Sequence, residues 1–282
     1  MKLKNKVRAS LRRVVCGVQQ VFLEEVLVLG DSHAKVFRYP MLRFRLWQKY
    51  LNVVSVGAAT ASGLENPNSK TQAFRQFDRA LSTTRAKKVV VMLGEVDTGF
   101  VIWYRAAKYG VPVADALSKT LTTYGQFLQK IKARGLSPIC ISAPLPTIQD
   151  DNDWGEIANQ RRSVTATQRE RTELTLKFNR EMERFCAEEN ITYLNLDGES
   201  LGEDGLVKAV LLNKNVLDHH YDKRVFAAML AKPVSRTVRN PFRNPALGGG
   251  APRGRFDRGS VANRRVPTNG AASGGAPNTR TR

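Results

Sequence analysis

Along the chain, short apolar runs alternate with longer stretches in which apolar positions recur every three or four residues. The runs are Val26–Leu29, Leu51–Val56, Lys88–Leu93, Pro138–Ser142 and Ile191–Leu196, and the first three are closed by Gly30, Gly57 and Gly94. Runs of this length are strand-sized. Continuous rather than alternating apolarity marks strands covered on both faces, as in a parallel sheet flanked by helices. The stretches between them predict helices. Ser69–Lys87 carries Ala73, Phe74, Phe77, Ala80 and Leu81 on one face. Val113–Arg134 carries Leu117, Leu121, Tyr124, Phe127, Leu128 and Ile131, and Gly135 is placed to end it. Thr167–Asn190 is charged but turns Leu174, Phe178, Met182, Phe185 and Cys186 inward, and Tyr221–Ala231 is a last short helix. Five strands with helical crossovers predict an α/β protein, a flavodoxin-like three-layer α/β/α sandwich on a five-stranded parallel sheet.

Both ends depart from this pattern. In Met1–Gln20, Leu3, Val7, Leu11, Val14, Val15 and Val18 alternate with basic residues at amphipathic-helix spacing. A helix packing on the core is the favoured reading, beside a membrane-surface helix or a targeting peptide; Gln19-Gln20 breaks the apolar stretch that a secretory signal needs. From Pro233 the chain becomes rich in Gly, Pro and Arg with little to build a core, which predicts a disordered tail. The expected organisation is therefore a basic segment 1–23, a globular domain 24–232 and a tail 233–282.

Composition refines this picture at two points. The chain has 282 residues, 42% apolar and 25% charged, the balance of an ordinary globular protein, and no apolar run reaches the length of a membrane span. The formal charge of +20 sits mainly on the ends. Residues 1–23 hold six basic residues and no acid, and residues 233–282 hold ten arginines and one aspartate. Such ends attract anionic polymers, RNA included, or membrane surfaces weakly and without sequence recognition. Cys16, Cys140 and Cys186 have no metal-type spacing. Their odd number suggests buried thiols in a reducing compartment, hence a cytoplasmic protein without metal or cofactor.

Candidate chemistry lies at the carboxyl ends of the predicted strands, where parallel α/β sheets bind ligands. Gly30-Asp31-Ser32-His33 follows the first strand directly. A hydroxyl on such a tight turn, with backbone N–H groups beside it, suits a nucleophile with a place for an oxyanion. Asp218-His219-His220-Tyr221-Asp222 precedes the last helix, from where a histidine oriented by a carboxylate can return to the first strand as general base. The chain's three histidines all lie in these two motifs. An acidic cluster, Asp150 to Asp153, lacks the spacing of a cation loop and reads as a solvated loop, with Trp154 and Trp103-Tyr104-Arg105 as pocket-wall candidates.

These motifs resemble the SGNH/GDSL hydrolase superfamily over about Glu24 to Lys232. Gly30-Asp31-Ser32-His33 resembles its first block, Gly57 its oxyanion glycine, Gly94-Glu95-Val96-Asp97 its GxND block, and Asp218 with His220 its final DxxH block. The resemblance implies Ser32 as nucleophile, His220 as base, Asp218 as its orienting acid and His219 as the fallback base. It implies Gly57, Gly94, Glu95, Asp97, Asp31 and His33 around an oxyanion hole or substrate site. The implied activity is ester hydrolysis or acyl transfer on short, acetyl-like esters of a carbohydrate or small molecule. Two positions depart from the pattern. Val96 stands where the family has an oxyanion asparagine, so Asn66 or Asn68 would have to supply that donor, or Glu95 and Asp97 would instead orient a polyhydroxylated substrate. Asp218 is two residues before His220 rather than three. The alternative is a catalytically weak or inactive domain on the same scaffold that binds a carbohydrate or a protein partner.

Overall fold

The computed structural model describes residues 23–66, 68–150, 166–215 and 217–239. The amphipathic segment expected at 1–22, the acidic loop at 151–153 with Trp154, and the tail from 240 onward lie outside the described residues.

The apolar runs form five parallel strands: β1 (Glu24–Gly30), β2 (Lys49–Ser55), β3 (Lys88–Met92), β4 (Ser137–Ile141) and β5 (Thr192–Leu194). Their order is β2-β1-β3-β4-β5. The chain reverses direction across the sheet between β1 and β3, which opens the crevice where such sheets bind ligands. Because side chains alternate along a strand, each strand feeds two cores. Leu27, Leu29, Val89, Val91 and Cys140 pack on one face with Phe77, Tyr124, Phe127 and Phe178. Val26, Val28, Val90, Met92 and Ile141 pack on the other with Phe37, Leu42, Phe226 and Leu230. This is the expected three-layer sandwich. β2 is less buried than its apolar run suggests, with only Leu51 fully covered, because it forms the sheet edge.

The long helices match their predicted stretches. In chain order the helices are α1 (Pro40–Arg45), α2 (Ala73–Thr83), α3 (Ile102–Tyr109), α4 (Val113–Ala133), α5 (Gln168–Glu188), α6 (Asp197–Ser200) and α7 (Lys223–Arg239). α5 starts in a capping box, in which Thr167 and Glu170 satisfy each other's backbone N–H groups. Asp150, the described member of the acidic cluster, accepts hydrogen bonds from Gln168 N and the Arg171 guanidinium instead of forming a cation loop. Six short elements have no counterpart in the apolar pattern: 3-10 helices at Ser32–Arg38 and Ala209–Leu211, α1, α6, and a π-turn at Asp97–Val101 with the α3 it leads into.

The boundary expected at Lys232 is corrected. α7 continues through Pro233 to Arg239, with Val234, Thr237 and Val238 buried against the sheet. Proline forfeits a backbone donor inside a helix. Packing offsets that loss, and Lys88 Nζ ties the helix end by donating to the carbonyls of Thr237 and Val238 at 2.9 and 2.8 Å.

Candidate active site

The site begins where β1 ends. Gly30 passes so close to β3 that a Cβ there would lie 2.5 Å from the Met92 carbonyl oxygen and 2.8 Å from Ala34 Cβ, so only glycine lets the strand turn at this point. Asp31 caps the 3-10 helix by accepting from His33 N at 2.8 Å. Ser32 follows as the first helical residue, half-buried, where a backbone N–H has no partner within its own helix.

The second motif reaches the same place from the other end of the chain. Tyr221, fully buried, anchors it by accepting from Leu145 N at 2.7 Å. Asp218 Oδ1 accepts from His220 twice, from the backbone N at 3.1 Å and from the ring Nδ1 at 2.5 Å. An ionised carboxylate only accepts, so the proton sits on Nδ1 and Nε2 carries a lone pair. That Nε2 is buried and has no hydrogen-bond partner. Burial, followed by the nearby His33, lowers the readiness of His220 to protonate below that of an ordinary histidine, with Asp218 and Glu95 opposing. Burial raises Asp218, but its hydrogen bonds from His220 and the charges of His220 and Lys223 hold its carboxyl below the usual range. The result is a neutral imidazole with a free basic nitrogen, the state a general base requires.

Ser32 and His220 line one cavity of about 190 Å³, together with His33, Lys35, Val36, Asp218, Tyr221, Lys223 and Phe226. The two motifs, 186 positions apart in sequence between Ser32 and Asp218, therefore meet at the end of β1. His219 does not line this cavity. Its carbonyl accepts a hydrogen bond from Thr147 Oγ1, and its ring lies 4.3 Å from that of His220, tilted by 33°. Asp218, His219 and His220 also offer ligand-type atoms within 4.8 Å of one another, the one group among the described residues able to hold a metal ion.

The other residues singled out in the sequence lie around the ends of β2 and β3. Asp97 is fully buried, and its two oxygens accept from Ala61 N at 2.7 Å and Ser62 N at 3.1 Å. It ties the loop after β2 to the segment that follows β3. Burial raises its pKa to about 6, against the pull of its bonds from Ser62 and Ala61 and of the Arg105 charge. Gly94 has φ +124°, and a Cβ there would lie 2.4 Å from the Phe178 ring, so packing alone demands glycine. Glu95 is buried close enough to His220 to act on its charge. Val96 is buried and apolar. Asn66 lines a separate cavity with Lys130 and Arg75, and its Oδ1 accepts from Asn68 N. Gly57 is exposed after β2, and nothing lies within 4 Å of where its Cβ would be, so no steric need of the fold explains it. Lys35 and Lys223 were not expected at the site. Lys35 stands three residues after Ser32, one 3-10 turn on, and that spacing was the available signal.

A five-stranded parallel sheet in the order β2-β1-β3-β4-β5 between two helical layers is the fold of SGNH/GDSL-type hydrolases. The same fold appears in solved structures. The chain superposes with a TM-score of 0.50 on an assigned arylesterase from Agrobacterium tumefaciens, at 15% identity over 77% of this chain and 99% of that one. It does so with the same score on a GDSL-like lipase from Bacteroides thetaiotaomicron, at 12% identity over 77% and 88%. An assigned acylhydrolase from Bacteroides fragilis matches equally, at 12% identity over 76% and 88%. No protein-family model and no curated protein matches the chain. Among the described residues no helix is long and apolar enough to cross a membrane.

Proposed function

We propose that this chain is an ester hydrolase or acyl-transfer enzyme that works through a Ser32 acyl-enzyme. One observation carries the reading: Ser32 shares a cavity with His220, whose Nδ1 is held by Asp218 and whose Nε2 is buried without a partner. In this mechanism His220 Nε2 takes the Ser32 proton as Oγ attacks the ester carbonyl. The resulting oxyanion is received by the backbone N–H groups of Ser32 and Gly57. On collapse, His220 returns the proton to the leaving alcohol. A water or a second alcohol, activated in turn by His220, then releases the acyl group. Unliganded hydrolases commonly hold base and nucleophile beyond hydrogen-bond length until substrate binds.

The cavity also bears on substrate. At about 190 Å³ it falls below the roughly 300–1,000 Å³ of sites for drug-sized ligands, and it suits an acetyl-sized acyl group on a carbohydrate or other small alcohol. Lys35 and Lys223 at its wall favour acceptors that carry negative charge. Hydrolysis of p-nitrophenyl acetate tests the assignment: His220→Ala abolishes it while His219→Ala retains most of it. The reverse pattern would move the base to His219, and turnover surviving both would remove histidine from the mechanism.

Val96 favours a second reading, a binding domain with little or no turnover. One lost oxyanion donor costs about 2.7–4 kcal/mol of transition-state stabilisation. Wild-type protein that binds acetylated sugars but turns over no activated ester would support it.

A further inference from the structure

The two motifs at the site are built alike. In each, an aspartate Oδ1 accepts from the backbone N and the ring Nδ1 of the histidine two residues later: Asp218 with His220, and Asp31 with His33, the latter at 2.8 and 3.1 Å. The two rings face each other with centroids 4.7 Å apart and planes inclined by 54°. The burial differs. Asp31 is 0% and His33 4% exposed, so the first pair is the more deeply buried of the two, although both His33 and His220 border the cavity.

We infer that Asp31 and His33 are a positioning pair, a second carboxylate–imidazole couple that backs the His220 ring, keeps Nε2 turned toward Ser32 and resists addition of a proton there. The inference rests on Ser32 and His220 acting as nucleophile and base. A buried carboxylate requires a charged or strongly hydrogen-bonded partner, and Asp31 has His33 against one oxygen while the other has no partner. Protonating both rings, whose centroids lie 4.7 Å apart, would set two like charges side by side away from bulk water. The other ionisable groups facing His220 are Asp218 and Lys223 on its own segment, His219 beside it, and Glu95 from the end of β3. Asp218 and Glu95 favour the protonated ring, and burial first, then His33 from the sheet side, oppose them. The peptide link between Ser32 and His33 couples the device to the nucleophile itself.

The chain's three histidines make this directly measurable by imidazole NMR on the whole protein. In the wild type, His220 carries its proton on Nδ1 and titrates below the ordinary histidine range. Two variants separate ring from charge. His33→Phe keeps a ring against His220, and His33→Asn keeps a donor to Asp31. In both, the His220 titration moves to higher pH, and the acid limb of kcat/KM for p-nitrophenyl acetate moves up with it. A His220 titration unchanged in both variants overturns the inference. If neither variant folds by circular dichroism, a wild-type His220 protonated on Nε2, or titrating at or above the ordinary histidine value, overturns it equally. A wild type that shows the coupled titration but hydrolyses no ester would instead defeat the hydrolase reading and leave the pairing standing.

Discussion

Asp97 offers a prediction whose size follows from its surroundings. Its carboxylate receives Ala61 N–H, which is buried, and Ser62 N–H, which is half-buried. Asp97→Ala leaves both donors without their acceptor, at about 1–3 kcal/mol for a buried group and less for one that water reaches. The expected loss at pH 7.5 is about 2–4 kcal/mol, a large part of the roughly 5–15 kcal/mol that holds a domain folded. The loss also depends on pH. Burial holds the carboxyl at about 6 in the fold, against 3.8 when unperturbed. Between those values the folded state binds the extra proton, so the proton-linked part of the Asp97 contribution is fully present below pH 3.8 and is lost as pH rises through 6. At roughly 1.4 kcal/mol per pH unit this amounts to about 3 kcal/mol, of which about 2 falls between pH 4.5 and 7.5. Urea unfolding of wild type and Asp97→Ala at those two pH values measures it. The variant should lose about 2 kcal/mol more, relative to wild type, at pH 4.5 than at pH 7.5. Asp197, also raised to about 6, cancels in the comparison because both proteins carry it. A destabilisation of the same size at both pH values would show that Asp97 is not the buried anchor described here.

Other expectations concern packing, the base and its pH range. Gly94→Ala combines a Cβ 2.4 Å from the Phe178 ring with a left-handed backbone; it should cost about 2–6 kcal/mol in unfolding experiments, from overpacking and strain together. Asp218→Ala frees the His220 tautomer and removes its compensating charge, and should lower kcat by about 10⁴-fold, as loss of the triad carboxylate function does elsewhere. Wild-type kcat/KM should hold to pH values below the ordinary histidine range before falling as His220 protonates, since its folded environment favours the neutral ring; a fall beginning above that range would contradict the burial and His33 contact assigned to it.

The layers of the fold were legible because burial on both faces leaves an unbroken apolar run, and β1, β3 and β4 show one. The short elements were not. The 3-10 helix at Ser32–Arg38 and α1 span only 14 residues, with Lys35, Arg38, Arg43 and Arg45 among them, too short for a helical period to emerge over their charges. Pro233 read as the end of order because a proline normally stops a helix, whereas the packing of Val234 and Val238 carries α7 onward. At the site, strand ends and histidines pointed to Ser32 and Asp218–His220, since catalytic side chains gather at such ends. Linear order could not show that Asp97 turns back 36 residues to bind the Ala61 amide, or that His33 is directed inward to Asp31. Those roles depend on which neighbour each polar group meets once the layers close.

The central claim is that Ser32 is the nucleophile at a cavity shared with His220. A fluorophosphonate probe reacts with a serine only where a base activates it, and intact-mass analysis counts the adducts. The account predicts one adduct on the wild-type chain, mapped to the peptide containing Ser32, and none on Ser32→Ala or His220→Ala. Equal labelling of wild type and Ser32→Ala would contradict it.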